Sequence, residues 1–167
     1  MVIKVNPLDP NSIDEARKKL KQYKKELASK TQRLVEILVN DGLLTAREFC
    51  PVATGTAQSS IIGYYDPADK SGIIMAGGYC AFIEFGTGVG NLKHPSPEYI
   101  AAMGWAYGVG THIFTTHDGR IGWYFPLENG EWRFTEGMPS RPFMYETMQI
   151  LKQEYDRVAQ EVFGGKG

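Results

Sequence analysis

Two cysteines and three histidines are the side chains best suited to covalent chemistry in this chain of 167 residues. A cysteine nucleophile needs an imidazole base close by, and the candidates for Cys50 or Cys80 are His94, His112 and His117. Cys80 lies in an apolar run, where a buried thiol is normally inert, and Cys50 precedes a proline at what resembles the edge of a core. The cysteines form no C-x-x-C pair, and a reducing compartment would keep them as thiols. We therefore expect neither a catalytic cysteine nor a disulfide.

Metal and nucleotide sites also lack their usual patterns. Zinc requires four ligands at short spacings, but only His112 and His117 lie close together in the sequence. The glycine run at 86–93, GTGVGNLK, lacks the Gly-Lys-Ser/Thr ending of a phosphate loop, and no βαβ unit surrounds it. The sequence therefore predicts no metal, no cofactor and no enzymatic activity.

A basic segment creates the strongest local charge, although the net charge of the chain is only -1. Residues 14–33 contain eight basic and three acidic side chains, whereas residues 146–161 contain four acidic and two basic ones. Three interpretations remain open: a solvated helix face, contact with an acidic protein, and contact with DNA phosphates. The near-neutral total charge and the lack of a recognition motif argue against DNA binding as the main function. The candidate residues for an anionic partner are Arg17, Lys18, Lys21, Lys24 and Lys25.

The basic segment belongs to a predicted helix at 12–40. It begins at the capping box Ser12-Ile13-Asp14-Glu15 and stops at Asp41-Gly42. Apolar residues recur at alternating spacings of three and four, which indicates one buried stripe. A helix of about 28 residues is roughly 40 Å long, so it can extend past its own domain. We expect a neighbouring subunit to cover part of the stripe, including Leu20 and Leu27.

Residues 51–88 form the first predicted β region. The small and hydroxyl-bearing residues at 51–60 favour a loop or the start of a hairpin. Three antiparallel strands are expected at 61–65, 73–76 and 79–85, because these segments are rich in β-branched and aromatic residues.

Residues 89–137 are predicted to be a glycine-rich insertion. It holds a short helix at 97–103 and strands at 113–116, 121–125 and 132–134. Asp118-Gly119 and Asn129-Gly130 supply the two hairpin turns.

The chain closes with a predicted amphipathic helix at 142–163 and a fraying tail at 164–167. Hydrophobic residues at 43% suffice for one core, and the length fits one domain. The expected fold is a single α+β domain in which a long N-terminal helix and a C-terminal helix pack on an antiparallel sheet.

Three segments together resemble the neck and tail-completion family of tailed bacteriophages. The first is PVATGTAQSSI at 51–61, similar to the family pattern Pro-Val-x-Thr-Gly-x-Leu-x-x-Ser-Ile. The second is YCAFIEFGTG at 79–88, similar to Tyr-Ala-x-x-Val-Glu-Phe-Gly-Thr-Gly with one extra residue after the tyrosine. The third is MPSRPFM at 138–144, close to Ala-Arg-Pro-Phe-Leu. The chain departs from the family at Ala57 and Gln58, and in the long segment at 88–137.

The resemblance implies a structural virion protein at the head-tail junction, with head-tail connector and tail proteins as partners. It implies a homo-oligomeric ring, and a location in the bacterial cytoplasm during assembly and in the virion afterwards. No apolar run is long enough to span a bilayer, and the start of the chain lacks a secretion signal, so no membrane role is expected. The alternative function is a DNA-contacting accessory protein that uses the basic helix. The residues of the matching segments proposed for structure or assembly are Thr54, Gly55, Glu84, Phe85, Gly86, Thr87, Arg141, Pro142 and Phe143.

Two of these residues carry opposite charges. Glu84 lies in an apolar segment, so if it is buried it needs a partner, and Arg141 is the natural candidate. The alternative is that Glu84 is exposed on a strand edge. Pro142 and Phe143 would fix the start of the last helix and bury a ring there. Thr54 and Gly55 would shape a loop which, by the resemblance, lies near subunit contacts.

Overall fold

The computed structural model of the chain describes residues 5–88, 97–105 and 112–164. Within these ranges the elements, in chain order, are α1 (Pro10–Phe49), α2 (Thr56–Ser59), β1 (Ile62–Asp66), β2 (Ser71–Met75), α3 (Cys80–Phe85), α4 (Pro97–Met103), β3 (Phe114–Thr115), β4 (Ile121–Pro126), β5 (Trp132–Thr135) and α5 (Phe143–Phe163).

Helix α1 begins earlier than the sequence pattern predicts. Its N-cap is Asp9, whose carboxylate accepts a hydrogen bond from a first-turn amide, and Pro10 occupies the first helical position. Proline suits that position because its φ is already helical and it has no amide to satisfy. The predicted capping box at 12–15 is wrong, since the Ser12 hydroxyl accepts from the Asn6 amide at 2.9 Å instead.

Helix α1 also runs past its predicted end. The stop expected at Asp41-Gly42 is wrong, because the helix continues to Phe49 and is 40 residues long, about 60 Å. Gly42 is buried inside the helix, and a Cβ there would lie 2.5 Å from Ile74 Cδ1 and 2.7 Å from Leu151 Cδ1. This glycine therefore permits β2 and α5 to approach α1 closely, and it does not cap the helix.

The strands form two small antiparallel sheets. Strands β1 and β2 pair with Tyr64 opposite Ile73, and both pack against α1. Strands β3, β4 and β5 form the second sheet in that order, which confirms the two predicted hairpins. The turn glycines Gly119 and Gly130 have φ of 83° and 82°, as such turns require.

The predicted third strand at 79–85 is wrong, because this segment forms helix α3. Its buried residues include Cys80, Ile83 and Glu84, which follow helical spacing, while Tyr79 and Phe82 face outward. The loop expected at 51–60 contains the short helix α2.

The core lies where α1, α3 and the start of α5 meet. One buried cluster contains Ala46, Cys50, Ile61, Cys80, Ile83 and Phe143. A second cluster joins Leu34 of α1 to Val158 and Val162 of α5, and these two helices share the most extensive interface between elements of the described chain. The predicted α+β fold, with a long N-terminal helix and a packed C-terminal helix, is confirmed.

Two of the smaller predictions are also confirmed, and others fall partly on residues that the structure leaves undescribed. The short helix at 97–103 forms as expected, and α5 begins one residue after its predicted start at 142. The predicted glycine-rich excursion falls partly on residues 89–96 and 106–111, outside the described ranges. His94 and the part of the predicted fraying tail beyond Gly164 also lie outside the described ranges.

Candidate functional site

Glu84 lies where the second and third matching segments meet. Its side chain projects from α3 and the residue is 3% exposed. The carboxylate accepts hydrogen bonds from the backbone amides of Met144 and Tyr145, each at 2.9 Å, and from the Tyr99 hydroxyl at 2.6 Å. Both amides belong to the first turn of α5, where N–H groups have no acceptor within the helix. The helix dipole also favours a negative charge at this end. Glu84 therefore caps α5 from 60 residues away in the sequence.

The predicted ion pair between Glu84 and Arg141 is wrong. Among the described residues Glu84 takes part in no ion pair, and Arg141 contributes its backbone amide, which donates to the Ile83 carbonyl at 2.9 Å. The helical form of the 79–85 segment is the reason, because α3 directs Glu84 at the start of α5. Arg141 is left exposed.

The loop after α3 joins directly to the segment before α5. The Thr87 and Gly88 amides both donate to the Met138 carbonyl, at 2.9 and 3.1 Å, and the Met138 amide donates to Thr87 Oγ1 at 3.0 Å. Gly86 has φ of 76°, and a Cβ there would lie 2.6 Å from the Met138 oxygen. The position therefore needs glycine both for its backbone conformation and for this close approach.

A pocket of about 400 Å³ opens beside this junction. Residues from all three matching segments line it: Pro51, Ala53, Thr54, Gly55, Thr56, Ala57, Tyr79, Ile83, Met138 and Arg141. The Thr54 and Thr56 hydroxyls are 2.9 Å apart, and Gly55 between them has φ of 81°. The structure thus brings Thr54, Gly55 and Arg141 together around one mainly apolar surface.

The aromatic residues of the site have a folding role. Phe143 is 1% exposed and lies in the main core cluster, as expected. The Pro142 carbonyl accepts from the Glu146 amide at 2.9 Å in the first turn of α5. Phe85 stacks on Trp105 with ring centroids 5.0 Å apart and contacts Tyr99 at 5.3 Å. Burial, with the hydrogen bond to Glu84 as a second cause, raises the pKa of Tyr99 above the usual range for tyrosine.

Neither cysteine is placed as a nucleophile. Both are buried in the main core cluster. Burial raises the pKa of the Cys50 thiol, and the charges of Cys80 and Glu84 add to the increase. The Cys80 sulfur lies 3.4 Å from the Ser60 hydroxyl. In the described parts of the chain, no cluster of three or more His, Cys, Asp and Glu side chains is placed to hold a metal ion.

The basic half of α1 is a second and separate candidate surface. Every residue at 17–33 is exposed, including Arg17, Lys18, Lys21, Lys24 and Lys25. Leu20, Tyr23 and Leu27 are 56%, 46% and 43% exposed. The predicted apolar stripe therefore reaches the core only from Leu34 onward, apart from a buried position at Ala16.

A shallow basic groove lies where this half of α1 passes the β1–β2 turn. Its volume is about 630 Å³, and Lys24, Lys25 and Lys70 line it together with Leu27 and Tyr65. No acidic residue is among its lining residues in the described chain. The groove can attract an anionic group, as the charge pattern of the sequence indicated.

Sequence reasoning missed two features of these sites. Tyr99 was placed in an insertion with no assigned role, yet its hydroxyl donates to Glu84. Leu44 was left without a role because the helix was expected to end before it, yet it is 66% exposed on α1. The spacing of four residues from Val35 through Val39 to Leu43 continues past Asp41 and was the available signal for a longer helix.

Comparison of the chain with protein-family models, curated proteins and solved structures gives no match. In the described part of the chain, no helix combines the length and the apolar character needed to cross a membrane.

Proposed function

We propose that this protein is a structural component of virion assembly in a tailed bacteriophage, acting at the head-tail junction through protein-protein contacts and without catalysis. The observation that carries the proposal is the uncovered helix at 17–33, which holds an apolar stripe that the described part of its own chain leaves exposed. Isolated helices of this length are marginal in water, so an apolar stripe on one is suited to a partner. A small protein that joins others needs such a surface more than it needs a catalytic cleft.

The packing of the three matching segments also supports the proposal. They are separated by up to about 80 positions in the chain, yet all three line one pocket, and hydrogen bonds around Met138 join the second segment to the third. A sequence pattern whose parts meet in space describes one structural unit. The second and third segments have structural tasks there: Glu84 caps α5, Gly86 permits the close approach, and Phe143 fills the core.

Localisation in purified particles tests the proposal. The phage or induced prophage that carries the gene is purified, and gold-labelled antibody against the chain is imaged on the virions by electron microscopy. Label at the head-tail junction is the expected result, and purified, infectious particles that lack the protein would contradict it. Particles assembled without the gene product serve as the antibody control.

A second candidate function is DNA contact, favoured by the basic groove of Lys24, Lys25 and Lys70. It predicts binding to arbitrary duplex DNA that weakens steeply with salt and is lost when Lys18, Lys21 and Lys25 are replaced by Gln. Binding measured by fluorescence anisotropy over a range of salt concentrations decides this point. Lack of binding at low salt removes the candidate.

A further inference from the structure

The exposed stripe of α1 has the shape and charge of one half of an interface. Leu20, Tyr23 and Leu27, here called the ridge, follow spacings of three and four residues, and Leu34 lies seven residues beyond Leu27 on the same face of the helix. Leu34 already packs against α5 through Val158. The ridge therefore extends an established helix-helix seam beyond the end of α5, and this repeat is typical of a surface that packs on another helix.

Basic side chains outnumber acidic ones beside the ridge. With 3.6 residues per turn, Asp14 and Glu15 fall away from the ridge, and Glu26 is the one acidic residue that lies beside it. A surface that accepts the ridge should therefore have an apolar floor and an acidic margin. The bordering basic residues are Arg17 and Lys24 on one side, and Lys19 and Lys30, with Glu26 between them, on the other.

A groove with those properties lies between α1 and α5 of the same chain. Its volume is about 410 Å³, and Leu44, Ile150 and Leu151 supply its apolar lining. Leu44 is 66% exposed, so this lining is open to a partner. The two acidic residues that line the groove are Asp41 and Glu154.

The one basic residue that lines the groove has its charge offset. Arg157 forms ion pairs with Glu154 and with Glu161, at 2.5 and 3.7 Å. With Asp41 nearby, the margin keeps an excess of negative charge: three carboxylates face one guanidinium. The groove, defined by its lining residues Asp41, Leu44, Thr45, Ile150, Leu151, Glu154 and Arg157, thus complements the ridge in both polarity and charge.

The ridge cannot enter the groove of its own chain. Leu20 and Leu44 are on the same continuous helix, 24 positions apart, which separates them by about 36 Å along its axis. Only another copy can bring a ridge to this groove. Pairing of two ridges would instead place two basic borders against each other, which opposes association.

We infer that the ridge of one copy binds the groove of the next copy, in a head-to-tail contact between two different surfaces. Such a contact repeats from subunit to subunit, and it closes into a ring where the rotation allows. The inference rests on the proposed assembly function and names the second copy as the partner of the uncovered helix.

The decisive experiment mixes two variants that are each damaged on one surface. Leu20→Asp removes the ridge and keeps the groove, whereas Leu44→Asp removes the groove and keeps the ridge. By sedimentation velocity the wild type should form oligomers, and each variant alone should be monomeric. An equal mixture should form a dimer of one copy of each and nothing larger, because only one intact ridge-groove pair remains.

The expected size of the effect follows from the burial of the side chains. Loss of one buried leucine should raise the dissociation constant of the contact by roughly ten- to a hundredfold. Val52→Asp is the matched control, since Val52 is 65% exposed, like Leu44, and lies outside both surfaces. Circular dichroism of each variant should match that of the wild type, because the replaced side chains are exposed.

The sign of the salt dependence gives a second, independent readout. Association through a basic border and an acidic margin should weaken as salt rises, whereas contact between two basic ridges would strengthen. Strengthening with salt, oligomers of Leu44→Asp alone, or a mixture that stays monomeric would each overturn the inference. So would a wild-type protein that is monomeric at the highest concentration reached.

Failure of this inference and failure of the proposed function are distinguishable in the phage. If the self-contact alone is wrong, Leu44→Asp supports normal particle assembly while deletion of the gene still prevents it. If the proposed function is wrong, deletion itself leaves particle assembly unchanged.

Discussion

Replacement of Glu84 by glutamine should destabilise the protein through the start of α5. Glu84 Oε1 accepts from the Tyr99 hydroxyl and the Tyr145 amide, and Oε2 accepts from the Met144 amide. Glutamine keeps the size of the side chain but has one oxygen and one NH2 group. If its oxygen replaces Oε1, its NH2 faces the Met144 N–H, and the buried amide loses its acceptor.

The magnitude is the sum of two losses. An unsatisfied buried donor costs about 1–3 kcal/mol. Loss of the charge at the helix N-terminus costs about 0.3–1 kcal/mol more. The free energy of unfolding should therefore fall by about 1–4 kcal/mol, a substantial part of the roughly 5–15 kcal/mol typical of a domain.

Urea unfolding followed by circular dichroism measures this difference. Glu146→Gln is the matched control, because Glu146 is an exposed carboxylate in the same first turn of α5. The control should lose less than about 1 kcal/mol, since it removes only the dipole contribution. Equal losses in both variants would refute the assignment of Glu84 as a buried cap of α5.

Three further predictions concern the same region. Gly86→Ala should lower the unfolding free energy by about 2 kcal/mol or more, because alanine is strained at a positive φ and its Cβ would clash with the Met138 oxygen. Gly78→Ala is the control and should change the urea midpoint little, because a Cβ at position 78 has no atom within 4 Å. Equal effects of the two substitutions would contradict this prediction. The raised pKa of Tyr99 means that its contribution to stability is present below the usual tyrosine value of 10.0 and is lost as the pH rises through the higher folded value. Stability measured against pH should fall above about pH 10 more steeply in the wild type than in Tyr99→Phe, and parallel curves would contradict the assignment. Cys50 and Cys80 should react with a thiol reagent only after unfolding, as seen by mass spectrometry with and without urea, and rapid labelling of the folded protein would disprove their role in the core.

The elements with strong periodic signals could be predicted from the sequence. The amphipathic pattern placed α5 within one residue of its start, and the two Asn-Gly and Asp-Gly turns located the β3–β4–β5 sheet. In each case the local pattern and the tertiary packing favour the same structure.

The errors occurred where packing decides between two local alternatives. The apolar segment at 79–85 is short, so helix and strand periodicities fit it almost equally well, and its contacts with α5 select the helix. Gly42 resembled a helix stop, but the approach of Ile74 and Leu151 requires a glycine inside the helix.

The candidate site was predictable only in part. The matching segments identified Glu84, Gly86 and Phe143 as structural, but they gave no information about which groups face each other. The Glu84 cap depends on a hydrogen bond to a residue 60 positions away, and the Arg141 pairing was inferred from charge alone. The exposed stripe of α1 was expected from helix length, and its extent became visible only from the burial of each residue.

The central claim is that the protein joins other virion proteins, and deletion of its gene tests that claim most directly. Lysates of the deleted phage or prophage, with a complemented control beside them, are imaged by electron microscopy. The predicted result is that DNA-filled heads lie apart from tails in the deletion lysate, and that the wild-type gene restores whole particles. Normal, infectious particles in the absence of the gene would contradict it.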